Sequence, residues 1–172
     1  FADEAGSPTR YHPTWRVQVD GRTIGVTQDG RVLPDLSSAD ASIRIPARQA
    51  TGLAIAGNRL WTVDAGSHEI LELDARSGAL RRRISIPVQQ PRGLAFDGAN
   101  LWVGDAADRQ LHAFDAVTGE RVRSLPLAVP PEKGYRSLEA LAWDGQALWT
   151  AIAAGFSSSY NQIDRESGRI VR

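Results

Sequence analysis

The stretch Gly93-Leu-Ala-Phe-Asp-Gly-Ala-Asn-Leu-Trp-Val-Gly-Asp105 decides the fold, because the chain writes it three times. Upstream stands Gly52-Leu-Ala-Ile-Ala-Gly-Asn-Arg-Leu-Trp-Thr-Val-Asp64, and downstream Ala140-Leu-Ala-Trp-Asp-Gly-Gln-Ala-Leu-Trp-Thr-Ala151. The tryptophans Trp61, Trp102 and Trp149 step by 41 (102 − 61) and 47 (149 − 102). A second landmark closes each unit, as Asp74-Ala-Arg-Ser-Gly78, Asp115-Ala-Val-Thr-Gly119 and Asp164-Arg-Glu-Ser-Gly168. Repeats of this period are settled before any other feature of a chain is read.

Within the central unit the pattern predicts four short strands, at 93–96, 101–104, 110–114 and 121–125. Asp97-Gly98 between apolar runs is a hairpin signal. Four strands in about 40 residues describe one blade of a β-propeller, and such blades bury their faces only by stacking on neighbours. The expected fold class is therefore all-β, a propeller of four-stranded antiparallel blades. Residues 1–14 read as a polar tail or arm, 15–46 as a degenerate first blade without the Leu-Trp landmark, and 47–87, 88–126 and 136–172 as clear blades. Propellers close with about 4–8 blades, so three closures stay open. The chain is a fragment of a longer protein, a partial ring completed by a second copy or another protein chain, or a small four-bladed ring.

Composition narrows the function classes. Lys plus Arg equals Asp plus Glu at 20 each, which argues against nucleic acid as a general partner. No apolar run is long enough for a transmembrane helix. There is no cysteine, which excludes disulfides, thiolate nucleophiles and cysteine zinc sites. The chain opens on Phe1 rather than Met, which leads us to expect an exported, periplasmic or secreted protein. His12, His68 and His112 show no metal-ligand spacing, and no phosphate-binding or nucleophile-elbow motif is present, so no metal and no cofactor is expected.

The recurrent tryptophans are expected to fill the gaps between blades, and the recurrent Asp64 and Asp105 to accept backbone N–H groups in the turns that follow them. The triple arginine Arg81-Arg82-Arg83 reads as protection of an exposed sheet edge. Departures from the repeat carry the functional expectation. The longer second step places about six extra residues between Pro126 and Glu139, and the Asp landmarks step by 49 (164 − 115), adding two more between Ala151 and Gln162. Connections from fourth to first strand and from second to third leave a blade on one face. The insertions should therefore bring Glu132, Lys133, Tyr135 and Arg136 towards a loop carrying Phe156, Ser157, Ser158, Ser159, Tyr160 and Asn161, a composition suited to adaptable polar contacts. Thr51, Arg92 and Glu139 precede the inner strands and should stand at the mouth of the central channel. There Arg92 could clamp a carboxylate or phosphate and Glu139 could act as a base, or the two could simply pair.

Over residues 40–172 the units resemble bacterial β-propeller repeats of the NHL, YVTN and PQQ-like superfamily, on the Gly-Leu-Ala-x-Asp-Gly-x-x-Leu-Trp-Val pattern and the Asp-x-x-Thr/Ser-Gly turn. A narrower resemblance is to the propeller-type glutamine cyclotransferases, carried by Ser137-Leu-Glu-Ala140 and Ile163-Asp164-Arg-Glu-Ser-Gly-Arg-Ile170. That resemblance implies an enzyme acting on N-terminal glutaminyl peptides, with Glu139 and Arg92 as its site. Ala50-Thr51-Gly52-Leu53 lacks the glutamate of that family's upstream segment, and no asparagine stands near Leu138-Glu139. The first expectation is a module that binds or assembles with a protein or small polar ligand through one face. The cyclotransferase is the alternative.

Overall fold

The computed structural model describes residues 14–19, 22–27, 31–33, 43–127, 135–154, 157–167, 169 and 171. Four antiparallel sheets follow in chain order. The first blade is β1 (Thr14–Val19), β2 (Arg22–Thr27), β3 (Arg31–Leu33) and β4 (Ile43–Arg44). The second is β5 (Ala50–Ala56), β6 (Arg59–Asp64), β7 (Glu69–Asp74) and β8 (Leu80–Ser85). The third is β9 (Pro91–Phe96), β10 (Asn100–Asp105), β11 (Gln110–Asp115) and β12 (Arg121–Pro126), and the fourth is β13 (Tyr135–Trp143), β14 (Leu148–Ala154) and β15 (Ser157–Ile163). Each sheet keeps sequence order, so every neighbour is a hairpin partner. The blade expected to be degenerate is four-stranded, with its third and fourth strands cut to three and two residues.

In the second, third and fourth blades the first strand is innermost. Leu53, Ile55, Leu94, Phe96, Leu141 and Trp143, with the alanines between them, line one cleft of about 210 Å3. Gly52 and Gly93 explain how the strands converge. A Cβ on Gly52 would stand 2.5 Å from the Leu94 backbone nitrogen, and one on Gly93 2.5 Å from that of Leu141. Gly93 also holds a left-handed φ of 66°, which a side chain rarely tolerates. In the fourth blade Ala140 takes this position, and it is exposed.

Two of the three tryptophans fill gaps between blades, as expected, while Trp149 of the fourth blade is only half-buried. Trp61 is fully buried in a cluster with Leu94, Leu101, Val103 and Phe114 of the following blade. Trp102 does the same against Leu138, Leu141 and Ile152. Two of the three indoles also have a polar partner. Trp102 Nε1 donates to Asp97 at 2.8 Å and Trp149 Nε1 to Asp144 at 2.7 Å. In the second blade Ala56 replaces that aspartate, and Trp61 Nε1 is buried without an acceptor. Its ring is instead covered by Arg59 at 4.7 Å and by Phe96, whose ring centroid also lies 4.7 Å away.

The outer strand β8 is largely exposed, and its arginines are spent locally. Arg83 pairs with Glu69 at 2.7 Å, Arg81 with Asp74, and Arg82 donates to the Val117 carbonyl of the next blade. They guard an edge, as expected.

The orphaned indole gives a direct prediction. Ala56→Asp should supply Trp61 Nε1 with the acceptor its counterparts have and raise unfolding free energy by about 1 kcal/mol in urea titration, the worth of one satisfied buried donor.

Candidate functional site

The mouth face is built by recurring carboxylates. Asp64 accepts backbone N–H groups from Arg48 at 2.9 Å and Gln49 at 2.7 Å, which belong to the connection entering the blade. It also accepts Gly66 N–H and the Ser67 hydroxyl from its own turn. Asp105 repeats this with Gln89, Gln90 and Ala107. Each aspartate thus clips the fourth-to-first connection onto the second-to-third turn, more than the local turn contact expected of it. Both sets of connections therefore meet on one face. There a cleft of about 230 Å3 is lined by Gln49, His68, Gln89, Gln90 and Arg92, among others. His68 and Arg109 occupy the same turn position in their blades (109 − 68 = 41), both left-handed at φ 56° and 59°.

Thr51, Arg92 and Glu139 are equivalent in the repeat, but they lie inside the first strands rather than just before them. Pairing begins earlier because Ala50 and Pro91 already face Asp64 and Asp105 at the strand ends. Thr51 and Glu139 are the unpaired residues of β-bulges, and in the third blade the bulge falls at Gly93 beside Arg92. Bulges of this kind re-aim a side chain. The Thr51 hydroxyl donates to the Pro91 carbonyl at 2.9 Å, so it ties two blades together. Arg92 and Glu139 are both exposed, and no ion pair joins them. The Ser137 hydroxyl donates to Glu139.

The expected loop at Ala151–Gln162 is largely strand. β14 and β15 pair from Leu148↔Ile163 to Ala154↔Ser157, so the added residues lengthen a hairpin. Tyr135 of β13 pairs with Ala154, which places the starts of β13 and β15 at one end of the blade, as the direction of the strands required. Glu132, Lys133 and Phe156 lie outside the described residues, as do the side chains of Tyr135 and Arg136. Alternation along β15 separates the other two candidates. Tyr160 is 78% exposed, while Asn161 is 3% exposed and bonded to Ser159, so Asn161 is no surface contact residue.

One feature of the face escaped sequence reasoning. In the second blade Ala54, Trp61, Val63 and Ile70 are buried against the third, and in the third Ala95, Trp102, Gly104 and Leu111 are buried against the fourth. Their fourth-blade equivalents are Ala142, Trp149, Ala151 and Tyr160. Ala142 and Tyr160 are exposed, and Trp149 and Ala151 are half-buried. The described residues leave this face open. The repeat aligned the four positions, but only the tertiary structure shows that no described residue covers the last set.

Asp64, Asp97, Asp115, Asp144 and Asp164 have depressed pKa values. Burial works to raise Asp64, but Arg48 and Gln49 N–H, the Ser67 hydroxyl and Gly66 N–H together pull it below the ordinary value. Burial likewise opposes Asp97, and the Trp102 indole with the Asn100 and Ala99 N–H groups overcomes it. Asp115, Asp144 and Asp164 are lowered by the turn N–H and hydroxyl groups they accept, led by Thr118 N–H, Ala147 N–H and the Ser167 hydroxyl respectively.

No family model and no curated protein matches this chain. Its structure does match solved ones. A glutaminyl cyclase from Myxococcus xanthus superposes with TM-score 0.72 at 16% identity, over 91% of this chain and 67% of that one. The WD40 β-propeller domain of Doa1 gives 0.65 at 14%, over 91% and 51%. BamB from Moraxella catarrhalis gives 0.60 at 19%, over 92% and 46%. The fold is a β-propeller repeat fold. The chain spans about half the length of the last two proteins.

Because the depressed aspartates are ionised in the fold below the pH at which the unfolded chain takes up protons, they stabilise it above their ordinary pKa and lose that effect as pH falls through the folded values. The urea midpoint should fall steeply below about pH 4. Asp97→Asn should lower the midpoint at pH 7 and flatten the acid limb.

Proposed function

We propose that this chain is an extracytoplasmic propeller module for binding and assembly, and that the open face of its fourth blade receives a further blade from a second copy of the chain. The observation that carries this is the exposure of Ala142 and Tyr160 and the half-burial of Trp149 and Ala151, where the equivalent residues of the two preceding blades are buried. A blade buries its apolar face only against a neighbour. The face is also dressed differently from the inner interfaces. Tyr160 stands where Ile70 and Leu111 stand, and Ala140 where Gly52 and Gly93 stand. Ala140 carries the Cβ that the close approach of inner strands excludes, so an incoming blade must stand further back. Aromatic side chains on a looser contact suit an interface between separable chains better than a continuous core.

Light scattering on the 18.7 kDa chain should show a concentration-dependent dimer. Tyr160→Arg should return it to monomer with its melting temperature at low concentration unchanged. A monomeric wild type at 100 µM would rule the second copy out.

A second reading rests on the match to a glutaminyl cyclase together with Glu139 projecting at the mouth from a bulge. Here the chain would cyclise N-terminal glutaminyl peptides, with Glu139 as base and Arg92 holding the peptide. If so, Glu139→Gln should cut turnover at least 100-fold with folding intact. A wild-type chain that fails to turn over glutaminyl peptides removes this reading.

A further inference from the structure

Asp105 ends β10, Asp108 lies in the following turn, and His112 is the third residue of β11. One oxygen from each carboxylate and a ring nitrogen of His112 lie within 4.8 Å of one another. His112 is 3% exposed, and Ser124 Oγ, 2.8 Å from Nδ1, fixes its ring. Nε2 then faces Asp108 Oδ2 at 3.9 Å. That gap is too long for a hydrogen bond, and it is about 0.5 Å wider than two ligands at about 2.1 Å from one tetrahedral ion, which a small rotation of the exposed Asp108 side chain closes. Asp108 Oδ1 is taken by the Gln110 N–H, which turns Oδ2 towards the ring. Asp105 is held by three backbone N–H groups and keeps acceptor capacity on its carboxylate.

The neighbouring blades show what this arrangement replaces. In the second blade the equivalent residues are Asp64, Ser67 and Leu71. The Ser67 hydroxyl donates directly to Asp64 at 2.9 Å, so that turn closes without an ion. In the fourth, Ile152 and Asn161 stand at the positions of Asp105 and His112. Of these three blades, the third alone sets a second carboxylate where a donor belongs and a buried imidazole where a leucine packs. Two carboxylates and an imidazole converging on one point form a donor set for a cation.

The geometry points to a site for one divalent transition-metal ion of the zinc class, bound by Asp105, Asp108 and His112, with Ser124 orienting the histidine. An imidazole with two carboxylates suits such ions better than calcium or magnesium. Ser124 supplies the outer hydrogen bond that metal-ligating histidines need. Asp108 is exposed, so the ion can enter from solvent and keep a water ligand. The site does not depend on the docking face.

The test is to titrate the chelator-stripped full chain with Co2+, read by visible absorption, and with Zn2+, read by calorimetry. One ion per chain is expected, with a rise in melting temperature. Asp108→Ser and His112→Leu each write in the residue of the second blade, so both should fold in chelator. Each should weaken binding at least tenfold and abolish the metal-induced rise. A wild type that binds no stoichiometric ion, or variants that bind as tightly as wild type, would overturn the site.

Discussion

At Gly52 and Gly93 the first strand of one blade passes so close to the next that even a methyl group would strike backbone. This contact sets the spacing at the channel, and the rest of each blade fans out from it. Trp61 and Trp102 wedge the gap that opens further out, against leucines and a phenylalanine of the following blade. Where Ala140 breaks the glycine pattern, the same face carries Tyr160 in place of an aliphatic side chain. The two substitutions agree, since a strand that keeps its neighbour further away leaves room for a ring.

Carboxylates hold the connections. The strand-end aspartates satisfy backbone N–H groups that would otherwise be unpaired where the chain enters a blade. The turn aspartates Asp74, Asp115 and Asp164 do so between third and fourth strands. Because each role recurs, a missing member shows its consequence. Ala56 orphans an indole, and Ile152, at 1% exposure, leaves the fourth blade without a clip to the connection before it. These are physical effects of single substitutions against an internal control that most folds lack.

Chemistry is not what this scaffold displays most strongly. Glu139 and Arg92 are both exposed, and no ion pair joins them. At the other end, a groove of about 430 Å3 between the third and fourth blades is bridged by Arg123, which pairs with Glu166 at 2.9 Å and donates to the Arg165 carbonyl. That bridge fastens the two blades and explains why their relative position is held at the outer strands as well as the inner ones.

Period, strand number and the tryptophan wedges were legible in the sequence, because each depends on residue type at a fixed spacing and the repeat supplies its own alignment. The strands at 110–114 and 121–125 were placed to within a residue for that reason. The direction of the connections was legible too, since antiparallel strands must alternate. What the sequence could not decide is which side of a strand is covered. Tyr160 and Asn161 are adjacent polar residues in one segment, yet one is solvent-facing and the other buried, because pairing register rather than composition assigns their faces. Asp105, Asp108 and His112 share no recognisable motif, since a turn and a strand pairing bring them together. The openness of the fourth blade is likewise a property of what stands next to it, and a repeat read along the chain does not state what its last copy packs against.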